Sequence, residues 1–140
     1  MFDLPHVIEA AAKLIQTADL TTRCEVVGGD FFAQVPLGGN VYLLKKVIHN
    51  WDDDRSRVIL GNCRAAMNPR ARIVLVEPVL PGRNVPSWSK WLDLEMLNLH
   101  HGGRERTETE FTTLLSTAEL TKSRVIPTAV GVNLIEAVPV

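Results

Sequence analysis

Apolar residues follow two patterns along this chain, and the patterns predict its secondary structure. The near-continuous apolar run at 41–44 predicts a strand buried on both faces of a sheet, because it offers no polar side to water. A second buried strand is expected at 72–76. Shorter strands are expected at 25–27, 123–127 and 132–137, the last two forming an antiparallel hairpin split by Gly131. Helical spacing and helix-start residues predict four helices. They are expected over 6–17, from 52–54 to about 67, over 87–99, and from 107 to about 118.

Polar residues at the ends of these helices fit capping roles. Thr107 and Glu110 form a capping box, in which each side chain satisfies a backbone N–H of the other residue. Asp52–Asp54 open a helix, where carboxylates accept free backbone N–H groups and suit the helix dipole. A metal cluster is the alternative for these three acids. His100 and His101 end a helix, and no ligand spacing supports a metal there.

Strands that alternate with helices indicate an α/β fold, with a mostly parallel sheet covered on both faces. The chain has 140 residues, which is enough for one hydrophobic core, and it shows no repeat or linker. We therefore expect a single domain over residues 1–140.

Composition and charge exclude several classes of protein. The chain carries 15 basic and 16 acidic residues, and this near-neutral balance argues against a general attraction to nucleic acid or an anionic membrane. No apolar run approaches the roughly 20 residues of a transmembrane helix, and no signal peptide is visible at the start. Cys24 and Cys63 are far apart and lack metal-ligand spacing. Free thiols in a reducing cytoplasm are therefore expected.

Ionisable side chains follow the predicted strands at the positions where an α/β sheet binds its ligands. His49 comes shortly after the 41–44 strand, and Glu77 comes directly after the 72–76 strand. His49 is a candidate general base, and Glu77 and Glu105 are candidates to orient it. A structural histidine is the alternative interpretation of His49.

Two aspartates are candidates for binding a nucleoside. Asp3 stands where a Rossmann-like fold commonly places an acid that accepts hydrogen bonds from a ribose diol, and an N-cap role for the first helix is the alternative. Asp30 either binds a nucleoside or closes the turn at Gly28 and Gly29. No glycine loop of the GxGxxG or GxxxxGK[ST] type occurs in the chain. Three helical residues are either core or the lining of an aromatic substrate pocket: Trp88, Trp91 and Met96.

Several stretches together resemble a known family. They are FDLPHVIEAA, RCEVVGGDFF, VYLLKKVIHNWDDD, ILGNCRAAMNP, RIVLVEPVLP, DLEMLNLHHGGRERTETEF and VNLIEAVPV. In this order they resemble the small-molecule O-methyltransferases that use S-adenosylmethionine, of the plant caffeate and flavonoid type and the bacterial polyketide-tailoring type. GGRERTETEF and HNWDDD are the most specific of these motifs. The resemblance implies a Rossmann-like methyltransferase sheet.

The resemblance also implies a role for each matching residue. His49 matches the catalytic base, and Glu77 and Glu105 match the two carboxylates that flank it. Asn50 stands where the family usually has Asp, which alters hydrogen bonding more than mechanism. No metal is needed, because a methyl group on a sulfonium cation is already activated. The family's binding positions for the cofactor S-adenosyl-L-methionine correspond to Asp3, Asp30, Phe31, Lys45 and Trp51. Its substrate-pocket positions correspond to Trp91, Met96 and Leu99.

Two parts of the family's architecture have no counterpart in this chain, namely the first strand with its glycine-rich loop and the N-terminal helical region. The resemblance therefore implies an incomplete sheet with its first strand absent and two exposed edges. The expected partners are a small hydroxylated aromatic acceptor, phenolic by preference, and either a second copy in a homodimer or a complementing N-terminal portion. One alternative is a non-catalytic remnant that serves as an interaction or oligomerisation module. Another is a generic nucleotide-binding α/β domain.

Overall fold

The computed structural model describes residues 1–140 as an α/β fold. Eight strands, four α-helices and one 3-10 turn follow each other along the chain. The strands are β1 Phe2–Asp3, β2 Val27–Gly28, β3 Val41–Lys45, β4 Arg72–Glu77, β5 Val79–Leu80, β6 Arg106–Thr107, β7 Leu120–Pro127 and β8 Asn133–Pro139. The helices are α1 Pro5–Thr17, α2 Asp53–Ala66, α3 Ser89–Leu99 and α4 Glu108–Thr117, and the 3-10 turn is Ile48–Asn50.

The main sheet has the strand order β3-β4-β8-β7. β3 and β4 are parallel, whereas β8 runs antiparallel to both β4 and β7. The prediction of a mostly parallel sheet is therefore wrong for this sheet. The reason is that the last two strands pair with each other, with an irregularity between Lys122 and Arg124, and β8 then takes the position beside β4. Two short parallel pairs, β1 with β2 and β5 with β6, stand apart from the main sheet.

The hydrophobic core lies on one face of the main sheet, under α2 and α4. Ile73 and Leu75 of β4 and Ile135 of β8 are fully buried in it, together with Phe111 of α4. Burial in β4 alternates along the strand, since every second side chain points into this core. The other face of the sheet has no comparable cover.

The edge strand β3 departs most clearly from the expected pattern. Tyr42 and Leu44 pack against the core, but Val41 is 53% exposed and Leu43 is 65% exposed. The prediction that β3 is buried on both faces is wrong. An apolar run specifies only that both faces avoid water, and no element of this chain covers the second face.

Two of the three candidate N-caps are present in the structure. Asp52 caps α2 by accepting the Arg55 backbone N–H at 2.8 Å, and Thr107 with Glu110 forms the capping box of α4. Asp3 does not cap α1, because the N-cap residue is Leu4 and no side chain caps it. No helix in the fold combines the length and the hydrophobicity needed to cross a membrane.

Candidate active site

His49 lies in the tight 3-10 turn that follows β3. The chain leaves β3 through Lys46, whose φ of 52° is in the left-handed region, and whose backbone N–H donates to the Val76 carbonyl. This turn brings His49 to the carboxyl end of the parallel pair β3 and β4. His49 is only 6% exposed there. The histidine is therefore buried beside the sheet edge, as the strand pattern predicts.

Glu77 anchors that turn from the neighbouring strand. It is the last residue of β4 and is fully buried. Its Oε1 accepts the backbone N–H groups of Val47 at 3.0 Å and Ile48 at 2.9 Å. These two bonds connect the end of β4 to the residues immediately before His49, so one carboxylate sets the position of the turn.

Glu105 reaches His49 through the short β5–β6 pair. Val79, two residues after Glu77, pairs with Arg106 in parallel register, which brings Glu105 to the same edge of the sheet. Glu105 Oε1 lies 2.8 Å from His49 Nδ1, and Glu77 Oε2 lies 4.0 Å from the same nitrogen. The structure thus brings together the three residues for which the sequence predicts a catalytic role.

The two carboxylates and burial act in opposite directions on His49. Burial lowers the pKa of His49. The hydrogen bond that its Nδ1–H donates to Glu105 and the negative charges of Glu77 and Glu105 outweigh burial and raise the pKa above its ordinary value, against an opposing effect of Lys46. Burial raises the pKa of Glu77 to about 7, even though the His49 charge and the two backbone N–H groups oppose it. The site therefore holds a proton readily near neutral pH.

The same three side chains are the one place where the geometry suggests a metal ion. Their ligand atoms lie within 4.8 Å of one another, and Oε2 of both glutamates is buried without a hydrogen-bond partner. Two ligands of a tetrahedral zinc lie about 3.3–3.5 Å apart. The 2.8 Å between His49 Nδ1 and Glu105 is instead the length of a charge-assisted hydrogen bond. The geometry suits a hydrogen-bonded triad better than a metal centre, and the absence of a metal stays a prediction.

A cavity of about 630 Å³ opens between the β1–β2 pair and β3. Asp3 and Phe31, two of the five predicted cofactor residues, line it, and 13 of its 17 lining residues are hydrophobic. The Asp3 carboxylate is half-buried and is bonded to the Leu4 backbone N–H. An apolar cavity with a carboxylate at its wall suits a nucleoside, whose base is flat and whose ribose offers hydroxyl donors.

The other three predicted cofactor residues do not line this cavity. Asp30 is exposed and its carboxylate accepts the Phe32 backbone N–H at 2.8 Å, which stabilises the turn that presents Phe31. Trp51 packs edge-on against Phe31 and Phe32, with ring centroids 6.3 Å and 4.8 Å away. Lys45 is exposed at the end of β3.

The three predicted substrate residues lie on α3 but not in one environment. Met96 is buried, whereas Trp91 is 68% exposed and Leu99 is 61% exposed. Trp88 is exposed as well, so only Met96 fits the alternative of plain core. A pocket for an acceptor at Trp91 and Leu99 would need a further surface to cover it.

Sequence reasoning missed three residues that hold the site together. Asp93 Oδ1 accepts the Glu105 backbone N–H at 2.8 Å, and Asn62 donates to the carbonyls of Phe31 and Phe32. Arg106 is fully buried and bonded to the His49 turn. Only Arg106 carried a signal, since it stands directly beside Glu105 in a specific motif.

Comparison with known proteins gives a consistent result. A family model described as an O-methyltransferase domain matches residues 1–120. The chain is 48% identical over 140 residues to phenazine O-methyltransferase PhzM of Lysobacter antibioticus, and 38% identical over 137 residues to mitomycin biosynthesis 6-O-methyltransferase of Streptomyces lavendulae. These matches cover 100% and 97% of this chain, but 41% and 39% of the relatives. The chain thus spans about two fifths of the length of these curated relatives.

Solved structures agree with the sequence matches. The crystal structure of LaPhzM superposes with a TM-score of 0.96 at 48% identity, covering 100% of this chain and 42% of that one. An O-methyltransferase from neocarzinostatin biosynthesis, NcsB1, in complex with S-adenosyl-L-homocysteine and 1,4-dihydroxy-2-naphthoic acid, superposes with a TM-score of 0.89 at 29% identity, covering 99% and 41%. The chain therefore belongs to the O-methyltransferase domain family, whose members use S-adenosylmethionine as methyl donor.

Proposed function

We propose that this chain carries the catalytic base and the nucleoside-binding side of an enzyme that transfers the methyl group of S-adenosylmethionine to a hydroxyl, preferably phenolic, of a small aromatic molecule. The 2.8 Å contact between His49 Nδ1 and Glu105 Oε1 is the observation that carries this proposal. It fixes the imidazole by one nitrogen and leaves the other nitrogen, Nε2, to accept a proton.

His49 acts as the general base in this proposal. With Nδ1–H donating to Glu105, the Nε2 lone pair of the neutral ring is available to the acceptor hydroxyl. The raised pKa of His49 brings its basicity closer to that of a phenolate, whose conjugate acid has a pKa of about 10. Glu77 supplies a second negative charge beside the imidazolium that forms, and holds the turn through Val47 and Ile48.

Two of the proposed cofactor residues, Asp3 and Phe31, line the cavity beside β3, and Lys45 is the last residue of β3. When bound, S-adenosylmethionine supplies a methyl group already activated by its sulfonium charge. Asp3 would accept hydrogen bonds from the ribose hydroxyls, Asp30 and Phe31 would contact the adenine, Trp51 would pack beside Phe31 near the adenine, and Lys45 would lie near the cofactor. The cavity lined by Asp3 and Phe31 supports this assignment.

The sheet supports the same proposal. β1 and β3 are not hydrogen-bonded to each other, and the 630 Å³ cavity separates them. We interpret this arrangement as a Rossmann-like methyltransferase sheet from which the first strand is absent, ending in the antiparallel β7–β8 hairpin. The share of the relatives' length that the chain spans supports this interpretation.

The acceptor in this proposal is a small hydroxylated aromatic molecule that binds against α3. Phenazine O-methyltransferase PhzM and the naphthoic acid complex of NcsB1 support that class of compound. Trp91, Met96 and Leu99 form the acceptor side, and the exposure of Trp91 and Leu99 agrees with a surface that a ligand or a further protein segment covers.

Calorimetry and a methyl-transfer assay test the proposal together. The 140-residue chain is titrated with S-adenosyl-L-homocysteine and then assayed with hydroxylated naphthoates. His49→Ala should lower turnover by about 10²–10⁴-fold. It should leave the binding of S-adenosyl-L-homocysteine intact, because His49 does not line the cavity. His101→Ala, at an exposed histidine after α3, is the matched control and should change neither quantity. Loss of cofactor binding in His49→Ala with normal binding in His101→Ala would refute the assignment of His49 as base.

A non-catalytic interaction module is the second candidate, and the exposed apolar surface of α3 favours it. Trp88, Trp91, Leu94 and Leu97 follow at three-residue spacing and are all exposed. Exposed apolar stripes of this kind commonly mark protein contacts. Light scattering tests this candidate: a mass that rises with concentration, in a sample that does not bind S-adenosyl-L-homocysteine, would favour the module or a homodimer over the enzyme.

A further inference from the structure

We propose that Arg106 is a positioning residue for His49, and that Asp53 holds Arg106 in place for this purpose. The inference rests on the proposed role of His49 as the base. It concerns a residue that touches neither the imidazole nor the cavity, and that acts through the backbone of the 3-10 turn.

The contacts of Arg106 converge on that turn from one side. Its guanidinium donates to the Ile48 carbonyl at 3.1 Å and to the Trp51 carbonyl at 2.8 Å. These two carbonyls stand one residue before and two residues after His49. Both ends of the turn are therefore bonded to one planar group, whose donors cannot move independently of each other.

The residues next to Arg106 bind the same turn. The Arg104 backbone N–H donates to the His49 carbonyl at 2.8 Å, so the segment 104–106 reaches three of the four carbonyls from Ile48 to Trp51. A Cβ added to Gly103 would lie 3.0 Å from the His49 carbonyl, which shows how closely this segment approaches the turn. Between them, Glu105 bonds the imidazole. One short segment therefore orients both the backbone and the ring of His49.

Asp53 supplies the counter-charge that Arg106 requires. The Arg106 side chain is fully buried, and an unpaired guanidinium in that position would be costly. Asp53 Oδ1 accepts from Nε at 2.9 Å and from Nη2 at 2.7 Å, and its other oxygen accepts from Arg104 at 3.3 Å. The Ser56 hydroxyl lies 3.4 Å from Nη2. Because the Asp53 side chain is 59% exposed, its removal leaves a site that water can fill.

Arg106 donates to the backbone of the turn and not to the imidazole. The charges that shift the pKa of His49 are those of Glu77, Glu105 and Lys46. Arg106 therefore affects the base by geometry, through the distance from His49 Nδ1 to Glu105. A displacement of the turn would lengthen that 2.8 Å bond and remove part of what raises the pKa of His49.

Histidine NMR of the 140-residue chain tests this without requiring turnover. The 15N-labelled wild type is compared with Arg106→Lys, which keeps the positive charge but lacks the planar guanidinium, and with Asp53→Ala. Arg124→Lys is the matched control, because Arg124 forms an exposed ion pair with Glu136 in the hairpin. The expected result is a lowered His49 pKa and a weakened Nδ1–H signal in Arg106→Lys, a smaller shift of the same sign in Asp53→Ala, and none in the control.

A kinetic readout separates this inference from the proposed function. Where the chain methylates an acceptor, Arg106→Lys should lower kcat by up to about 10²-fold, the effect of a small displacement of a catalytic group, and leave the Kd for S-adenosyl-L-homocysteine unchanged. An unaltered His49 pKa and ring signal in folded Arg106→Lys, or in Asp53→Ala if the lysine variant does not fold, would overturn the inference. A wild type that neither binds S-adenosyl-L-homocysteine nor methylates an acceptor would refute the proposed function and leave the NMR comparison valid.

Discussion

The two sides of His49 differ in how complete they are. On the base side, Glu77, Glu105 and Arg106 are fully or almost fully buried, and their main hydrogen bonds lie within the chain. On the nucleoside and acceptor sides, apolar residues of β3 and α3 face an open cavity and solvent. The comparison teaches that the His49, Glu77 and Glu105 cluster is held in place by contacts within this chain, whereas the surfaces proposed for cofactor and acceptor are open.

The largest expected effect contrasts two leucines of neighbouring strands. Leu75→Ala should lower the free energy of unfolding by about 2–5 kcal/mol, because Leu75 is fully buried in the core. Leu43→Ala should cost less than about 1 kcal/mol, because Leu43 already faces the cavity. Urea denaturation measures both. Equal costs would break the comparison, since they would mean that the open face is covered in solution.

The next effect concerns the pH dependence of stability on the base side. The pKa of Glu77 is raised from 4.5 to about 7 by burial, so the folded state binds more protons than the unfolded state between these pH values. Stability contributed by Glu77 is therefore fully present below pH 4.5 and is lost as the pH rises through 7, by roughly 3 kcal/mol. Glu77→Gln should flatten this part of the stability profile, measured by urea denaturation at several pH values. Glu95→Gln, at an exposed site on α3, is the control and should keep the wild-type slope.

A smaller effect is expected at the helix that follows Arg106. Thr107→Ala removes the capping box of α4 and should lower the free energy of unfolding by about 1 kcal/mol. Thr109→Ala, at an exposed site within the first turn of the same helix, is the matched control. An equal loss in the two variants would indicate that the cap contributes nothing beyond helix propensity. The difference between the two variants measures how much stability the capping box adds beside Arg106.

The smallest effect on stability belongs to the acceptor side. Trp91→Ala should change the free energy of unfolding by no more than about 0.5 kcal/mol, because the side chain is mostly exposed. It should nevertheless weaken binding of a hydroxylated naphthoate, measured by fluorescence or calorimetry, if the tryptophan meets the acceptor. Met96→Ala, at a buried position five residues further along α3, should instead destabilise the fold. A strongly destabilised Trp91→Ala would place Trp91 in a contact that this chain makes with itself.

Local features of the fold were predictable from the sequence. The β4 run, the Asp52 cap and the Thr107–Glu110 box depend on residues close to each other in the chain, and the structure contains all three. His49, Glu77 and Glu105 were chosen by strand position and resemblance, and the structure brings them within hydrogen-bonding or ion-pair distance. Their catalytic roles stay predictions.

Non-local features could not be read in the same way. An apolar run does not reveal whether a neighbour covers its second face, and so Leu43 was expected to be buried. The antiparallel position of β8 beside β4 depends on how the whole chain returns to the sheet. The burial of Arg106 depends on partners more than fifty residues earlier, at Ile48 and Asp53. Asp3 was weighed as a helix cap, but the helix begins after Leu4.

The contact between His49 and Glu105 also has a consequence for the order of folding. It joins residues 56 positions apart, so the chain must close a long loop before the imidazole meets its carboxylate. Closing such a loop costs entropy that grows with the logarithm of its length, and contacts of this separation are gained after local ones. The β3–β4 pair and the β5–β6 pair must both be in register first. The ring signal of His49 should therefore appear among the last events of refolding, and it would report when the native arrangement is complete.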